Sequence, residues 1–210
     1  MRVLLPISNY ITKPHDSALY GWLLTTAWTR RDLGERLRPY QWAIDNRCYI
    51  EGNAFDFDTY LELLHRARDY GGRCLFAVVP DVVGDAAATH TRWEHYAPAM
   101  RRVGLPLAYV AQDSLDELPD VGFDALFIGG TTEYKLGQVA ARLMREARAL
   151  GKHVHMGRVN TLKRLTHAYK AGADTVDGTA WSIVRDRQMR MATPHLRWLQ
   201  RQLPLFREVV

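Results

Sequence analysis

The stretch ALFIGGTTEYKLGQVAARLMREARALGKHVHMGRVNTLKRLTHAYKAGADTVD, residues 125–177, decides the fold. Short apolar runs at 125–129, 153–157 and 173–177 alternate in it with segments of helical periodicity. Over 134–150, Leu136, Val139, Ala140, Leu143, Met144, Ala147 and Leu150 recur at the spacing of one helix face. Lys135, Gln138, Arg142, Arg145 and Arg148 point elsewhere, and Gly151 stops the helix. A second helix over 160–171 is stopped by Gly172. Alternating strands and helices with short connections imply parallel strands joined by right-handed crossovers.

The same rhythm extends toward the N-terminus. Further strands are expected at RVLLPI (2–7), WLLTTA (22–27), WAID (42–45), CLFAVV (74–79) and LAYVA (107–111). They are continuous apolar runs, as strands buried on both faces should be. Helices are expected over 57–70, behind the caps Asn53, Asp56 and Asp58, and over 85–102. Ser114 and Glu117 have capping-box spacing before a short turn, and 180–202 forms a last helix interrupted near Pro194. Eight strands make an α/β protein, a compact single-domain (β/α)8 TIM-type barrel over 1–210, irregular at its N-terminus and small for that fold. Were 22–27 the start of a helix instead, an open sheet or incomplete barrel would result.

Composition narrows the setting. The chain of 210 residues is 47% hydrophobic and 24% charged, ordinary for a soluble globular protein. No apolar run approaches the roughly 20 residues of a membrane helix, and MRVLLPISNYI lacks the pattern of a signal peptide. Two cysteines, Cys48 and Cys74, build no disulfide framework, and no CxxC or HExxH spacing offers a metal site. A reducing, cytoplasmic location follows, with no metal or other cofactor expected. The net charge of +5 fits a polyanionic partner and equally a surface of solvated arginines.

The strand ends carry the chemistry, because ligands of parallel α/β proteins collect at the carboxyl ends of strands. Asp45, Asp81, Gln112, Gly129-Gly130 and Asp177 all follow apolar runs. Asp177 is either an N-cap of the last helix or a carboxylate nucleophile or base. With Asp45 it would form the carboxylate pair that glycosidic-bond chemistry uses. Asp81 either caps 85–102 or reads the N–H edge of a purine. Gln112 can donate and accept at once against a base edge. Gly129-Gly130 forms a plain turn or lets backbone approach a flat ligand. Tyr49 is either a core residue or a stacking platform for a base. Asp174 is structural, and His153 and His155 share one side of a strand as structural histidines rather than a metal pair. Arg158, Lys163 and the last helix's arginines, Arg185 among them with Arg187, Arg190, Arg197 and Arg201, are candidates for phosphate contacts.

Taken in order, these segments resemble the tRNA-guanine transglycosylase superfamily, most of all its compact DNA-modifying members from phages and bacteria. The resemblance spans roughly residues 41–185. Asp45-Asn46-Arg47-Cys48-Tyr49 matches the family's DSGG[FY] segment, VVPD its purine-reading aspartate at Asp81, and YVAQDS its base-reading glutamine at Gln112. Ile128-Gly129-Gly130 matches the loop that contacts the base through its backbone. Gly172-Ala173-Asp174-Thr175-Val176-Asp177 matches the GxDxxD ending whose last aspartate is the nucleophile.

The resemblance implies a pentosyltransferase that replaces guanine in nucleic acid with a 7-deazaguanine through a covalent aspartyl-glycosyl intermediate. Asp177 would attack, Asp45 would move protons, and Tyr49, Asp81, Gln112, Gly129 and Gly130 would hold the base. DNA is favoured over tRNA, because the tRNA enzymes' zinc motif of three cysteines and a histidine is absent and their docking insertions have little room. A bacterial cell or a phage-infected host is the implied setting. Arg47 and Cys48 stand where the family has glycines, so the pocket floor should differ. The alternatives are a DNA glycosylase of the same fold, a non-catalytic nucleic-acid-binding paralogue, and an unrelated barrel lyase or hydrolase anchoring a small phosphorylated substrate at Gly129-Gly130.

Overall fold

A computed structural model describes residues 1–7, 16–27, 33–70, 72–183 and 185–202. Eight parallel strands close into a barrel in sequential order: β1 (Arg2–Pro6), β2 (Tyr20–Leu24), β3 (Gln41–Ile44), β4 (Arg73–Val78), β5 (Leu107–Ala111), β6 (Ala125–Ile128), β7 (His153–Met156) and β8 (Thr175–Asp177). Closure is made by β8 on β1, with Val3 opposite Val176 and Leu4 opposite Asp177. Register between β3 and β4 shifts once, between Trp42 and Ile44. The second strand is therefore real and begins two residues before the expected run.

Alternation within the strands sorts side chains into two layers. Leu4, Leu23, Ala43, Phe76, Val78, Ala108, Val110 and Ala125, with Phe127 against them, form the barrel interior. Their neighbours Val3, Leu5, Trp22, Leu24, Trp42, Ile44, Tyr109, Leu126 and Val154 face outward into a second cluster shared with the helices. Gly21 is required by the closeness of β2 to β3, since a Cβ there would lie 2.8 Å from Leu4 and collide with the Gln41 carbonyl.

The outer layer contains α1 (Leu33–Leu37), α2 (Cys48–Glu51), α3 (Phe57–Ala67), α4 (Ala86–Arg101), α5 (Thr132–Leu136), α6 (Gln138–Ala149), α7 (Leu162–Ala171), α8 (Ala180–Ile183) and α9 (Arg185–Arg201). Asp56 caps α3 through the amides of Asp58 and Thr59, and Asp85 caps α4 through Ala88. Three expectations need correction. The helix expected over 134–150 is two helices, broken at Gly137, whose extended backbone (φ −78°, ψ 166°) cannot continue a helical turn. Ser114 is no cap: its φ is 72°, and no helix follows it. Pro194 lies within α9 and does not interrupt it. Among the described residues, no helix is long and apolar enough to cross a membrane.

Candidate functional site

A cavity of about 580 Å³ opens at the carboxyl ends of the strands. Asp45, Tyr49, Asp81, Gln112, Gly129, Gly130, Arg158 and Asp177 all line it. The barrel's alternation explains much of this convergence. Asp45, Gln112, Gly129 and Asp177 continue the inward phase of Ala43, Val110, Phe127 and Thr175, one step past each strand's apolar filling.

Asp177 closes β8 with both carboxylate oxygens engaged. Oδ1 accepts from the Arg158 amide at 3.1 Å, and Oδ2 accepts from His155 Nε2 at 2.9 Å. It does not cap the helix that follows; Asn160 Oδ1 takes the Ala180 amide at 3.1 Å instead. Asp45 also lines the cavity and has, among the described residues, a single weak donor, the Arg47 amide at 3.3 Å from Oδ1. Burial, and then the negative charges of Asp177 and Asp81, push the Asp45 carboxyl up to about 7. Two carboxylates facing one cavity thus differ sharply in support: Asp177 is held by donors, while Asp45 has few.

Asp81 is clamped from two sides. Asn46 Nδ2 donates to Oδ1 at 2.8 Å, and Gln112 Nε2 donates to Oδ2 at 2.6 Å. Burial raises its carboxyl and these two hydrogen bonds draw it back. It is no helix cap, since Asp85 has that role. Gln112 is only partly free to read a ligand, because its Oε1 already accepts the Gly84 amide at 2.9 Å. What Gln112 presents is one remaining N–H and a fixed Asp81.

Gly129 and Gly130 are both required where they stand. A Cβ at Gly129 would press on Gln112 Nε2 and Val110 at 2.9 Å, and Gly130 has φ 76° with Asp113 packed against it. Asp113 fixes the loop by accepting from the Thr131 amide at 2.8 Å and its hydroxyl at 2.5 Å. The Gly130 carbonyl accepts from Arg158 at 2.7 Å. The same guanidinium lies 4.2 Å from the centre of the Tyr49 ring. Tyr49 is 63% exposed, so it is a platform at the cavity mouth and not a core residue.

Arg47 has φ 61°, the left-handed region that glycine enters freely. Asn46 holds this turn, accepting the Cys48 amide at 2.8 Å while its Nδ2 reaches Asp81 and the Val79 carbonyl. Cys48 is buried, and burial raises its thiol to about 12, so it is poorly suited to act as a nucleophile.

Of the residues considered for phosphate, Arg158 turns into the cavity, and Lys163 is exposed in the first turn of α7 without lining it. The side chains of Arg185, Arg187 and Arg190 lie outside the described residues. Arg197 pairs with Asp16 at 3.2 Å, and Arg201 is exposed at the end of α9. Asp174 is structural as expected, bonded to Arg148 at 2.6 Å and to the Val154 amide at 3.0 Å.

Lys135, His155 and Asn46 were not expected at the site. Lys135 does not point to solvent: it is 5% exposed, lines the cavity and donates to the Gly157 carbonyl at 3.2 Å. Burial first, then the charge of Arg158, lower its ammonium to about 8. His155 bonds Asp177, and Asn46 is the second support of Asp81. His155 could have been found from its phase, two residues before the cavity-lining Gly157 on an inward-facing strand position. Nothing in the spacing of Lys135 distinguishes it from the exposed arginines of the same segment. Among the described residues, no cluster of three His, Cys, Asp or Glu side chains could hold a metal ion. Comparison with known protein families and with curated proteins finds no match.

Proposed function

We propose that this barrel is a pentosyltransferase acting at an N-glycosidic bond, and within that class an enzyme that exchanges guanine in DNA for a 7-deazaguanine. The observation that carries the reading is the meeting of Asp45 and Asp177 in one cavity, with Asp81 and Gln112 on its wall. The volume suits a nucleoside-sized ligand.

In this reading Asp177 attacks C1′ of the target nucleotide. The new C1′–O bond forms as the C1′–N9 bond breaks, and the electron pair passes to N9. Asp45, raised to about 7, is protonated in much of the population near neutral pH and delivers the proton that neutralises the departing base. The incoming base then attacks C1′ through its N9, its proton returns to Asp45, and the Asp177 carboxylate is released. Two inversions retain the configuration at C1′. Asp81 accepts from the purine's N–H edge through the lone pairs its two supports leave free. Tyr49 stacks on the base once Arg158 withdraws from the ring face.

Reaching C1′ in a duplex requires extrusion of the nucleotide, which costs a few kcal/mol of stacking and pairing. The excess of basic residues and the exposed Lys163 at the barrel mouth support a phosphate backbone as the partner that offsets it. The test is incubation with guanine-containing DNA and an isotopically labelled 7-deazaguanine, followed by nucleoside analysis. Label in the DNA is the expected result. Abasic sites without label would mean hydrolysis by the same carboxylates, and unchanged DNA would refute both.

A further inference from the structure

The barrel interior changes character on its last two strands. The inward positions of the earlier strands are mostly apolar, but β7 and β8 turn His153, His155 and Thr175 into the barrel directly beneath Asp177. Thr175 Oγ1 lies 2.8 Å from His153 Nε2 and 2.8 Å from His155 Nδ1, and His155 Nε2 lies 2.9 Å from Asp177 Oδ2. His155 is fully buried, with the rings of Phe76 and Phe127 at 5.2 and 4.6 Å.

The donors in this line order themselves. An ionised carboxylate only accepts, so the proton on Nε2 of His155 must face Asp177. A ring with that one proton shows a lone pair at Nδ1, and the single Thr175 proton then goes there. Thr175 in turn accepts from Nε2–H of His153, whose imidazole burial holds near 4 and therefore neutral at working pH. The line is satisfied at every joint, and any reversal of one joint leaves a lone pair facing a lone pair or a proton facing a proton. A buried polar line of this kind is retained against a packed apolar interior only where it is fully paired.

We propose that His155 is a positioning residue for the Asp177 carboxylate, fixed in one tautomer by Thr175 with His153 behind it, and that its hydrogen bond favours departure of the carboxylate from C1′. The relay stands on the geometry of this line and the neutral His153 at its end; its effect on departure rests on the base-exchange reading. While Asp177 is free it carries a negative charge and takes a charge-assisted bond from His155. Once esterified to C1′ it is neutral and the bond weakens by roughly half. The relay thus stabilises the carboxylate more than the ester. When the incoming base attacks and the C1′–O bond breaks, the electron pair returns to an oxygen that already has a donor. Losing the relay should slow this second half-reaction by about tenfold, since one charge-assisted bond is at stake. The glycosyl-enzyme would then accumulate.

His155→Ala would open a hole in the packed interior, so the informative pair is Thr175→Val and Thr175→Ser. Valine keeps the shape without the hydroxyl, and serine keeps the hydroxyl. Each protein is mixed with a guanine-containing oligonucleotide, and the denaturant-stable adduct is followed as it forms and as added 7-deazaguanine discharges it. Thr175→Val should discharge about tenfold more slowly and Thr175→Ser should match wild type. Equal discharge by all three overturns the catalytic part of the proposal. Nitrogen-15 histidine spectra supply the readout that a merely structural threonine would not move. In wild type and Thr175→Ser, His155 should carry its proton on Nε2 with a bare Nδ1, and Thr175→Val should lose this single tautomer. A proton on Nδ1 with Nε2 bare in wild type overturns the relay. Were wild type to form no adduct with DNA, the base-exchange reading would fail with the departure effect that rests on it, and the spectra would still decide the positioning claim.

Discussion

Asp45→Asn keeps the shape of the side chain and removes its titration. In the folded protein this carboxyl moves from an ordinary 3.8 to about 7, chiefly by burial and then by the charges of Asp177 and Asp81. In the unfolded chain it returns to its ordinary value. Between those two pH values the folded state holds more protons than the unfolded state, so stability falls as pH rises through the window and levels off above it. At about 1.36 kcal/mol per pH unit, the loss between pH 4.5 and pH 8 is at most about 3 kcal/mol. Because the side chain borders an open cavity, solvent screening brings the expected loss to about 2–3 kcal/mol. Asparagine is neutral throughout and escapes it. The assay is urea denaturation of both proteins at the two pH values; the other titrating groups are common to both and cancel to first order in the difference. The stability gap in favour of the variant should widen by about 2–3 kcal/mol at pH 8, equivalent to roughly 4–12 °C in Tm for a chain of this size. Base exchange should be lost at the same time. A gap that is the same at pH 4.5 and pH 8 would refute the account of Asp45 as a buried, charge-strained proton carrier.

Asp177→Ala should abolish base exchange while leaving the fold and DNA binding largely intact, as judged by circular dichroism and a filter-binding titration. Formation of the glycosyl-enzyme by wild type should fall as pH rises through about 7, because protonated Asp45 is the acid for the departing base; a rate that rose across this range would reverse its role. Tyr49→Ala should weaken DNA binding by about 5- to 150-fold, the worth of one stacked base, yet change stability by less than about 0.5 kcal/mol because the ring is exposed. Gln112→Leu removes a 2.6 Å donor to buried Asp81 and should cost about 1–3 kcal/mol in denaturant unfolding.

Much of the barrel was legible because its signal is local. Apolar runs spaced by helical segments and glycine stops placed all eight strands, including the one at 20–24 that could have been read as a helix. The break at Gly137 was not legible, because the apolar spacing carries straight across it while the backbone does not. The site was legible where an inward strand phase ends on a polar residue, as at Asp45, Gln112 and Asp177. Whether such a residue caps a helix or faces a cavity depends on which neighbour takes the helix amides, and here Asn160 and Asp85 do so. Supporting residues were harder to see. Asn46 and His155 gain meaning only from partners 35 and 22 positions away, contacts that barrel closure creates. Lys135 was hidden for a different reason, since a lysine beside arginines looks solvated until the helix it sits on is found to end against the barrel mouth.

The claim on which the rest depends is that Asp177 forms a bond to C1′ of a nucleotide. Intact-protein mass spectrometry after incubation with a guanine-containing oligonucleotide, in the absence of incoming base, measures it directly. The expected result is a species equal in mass to protein plus oligonucleotide minus guanine, mapped by peptide sequencing to Asp177 and absent from Asp177→Ala. An adduct on another residue, or base loss at the wild-type rate in Asp177→Ala, would contradict it.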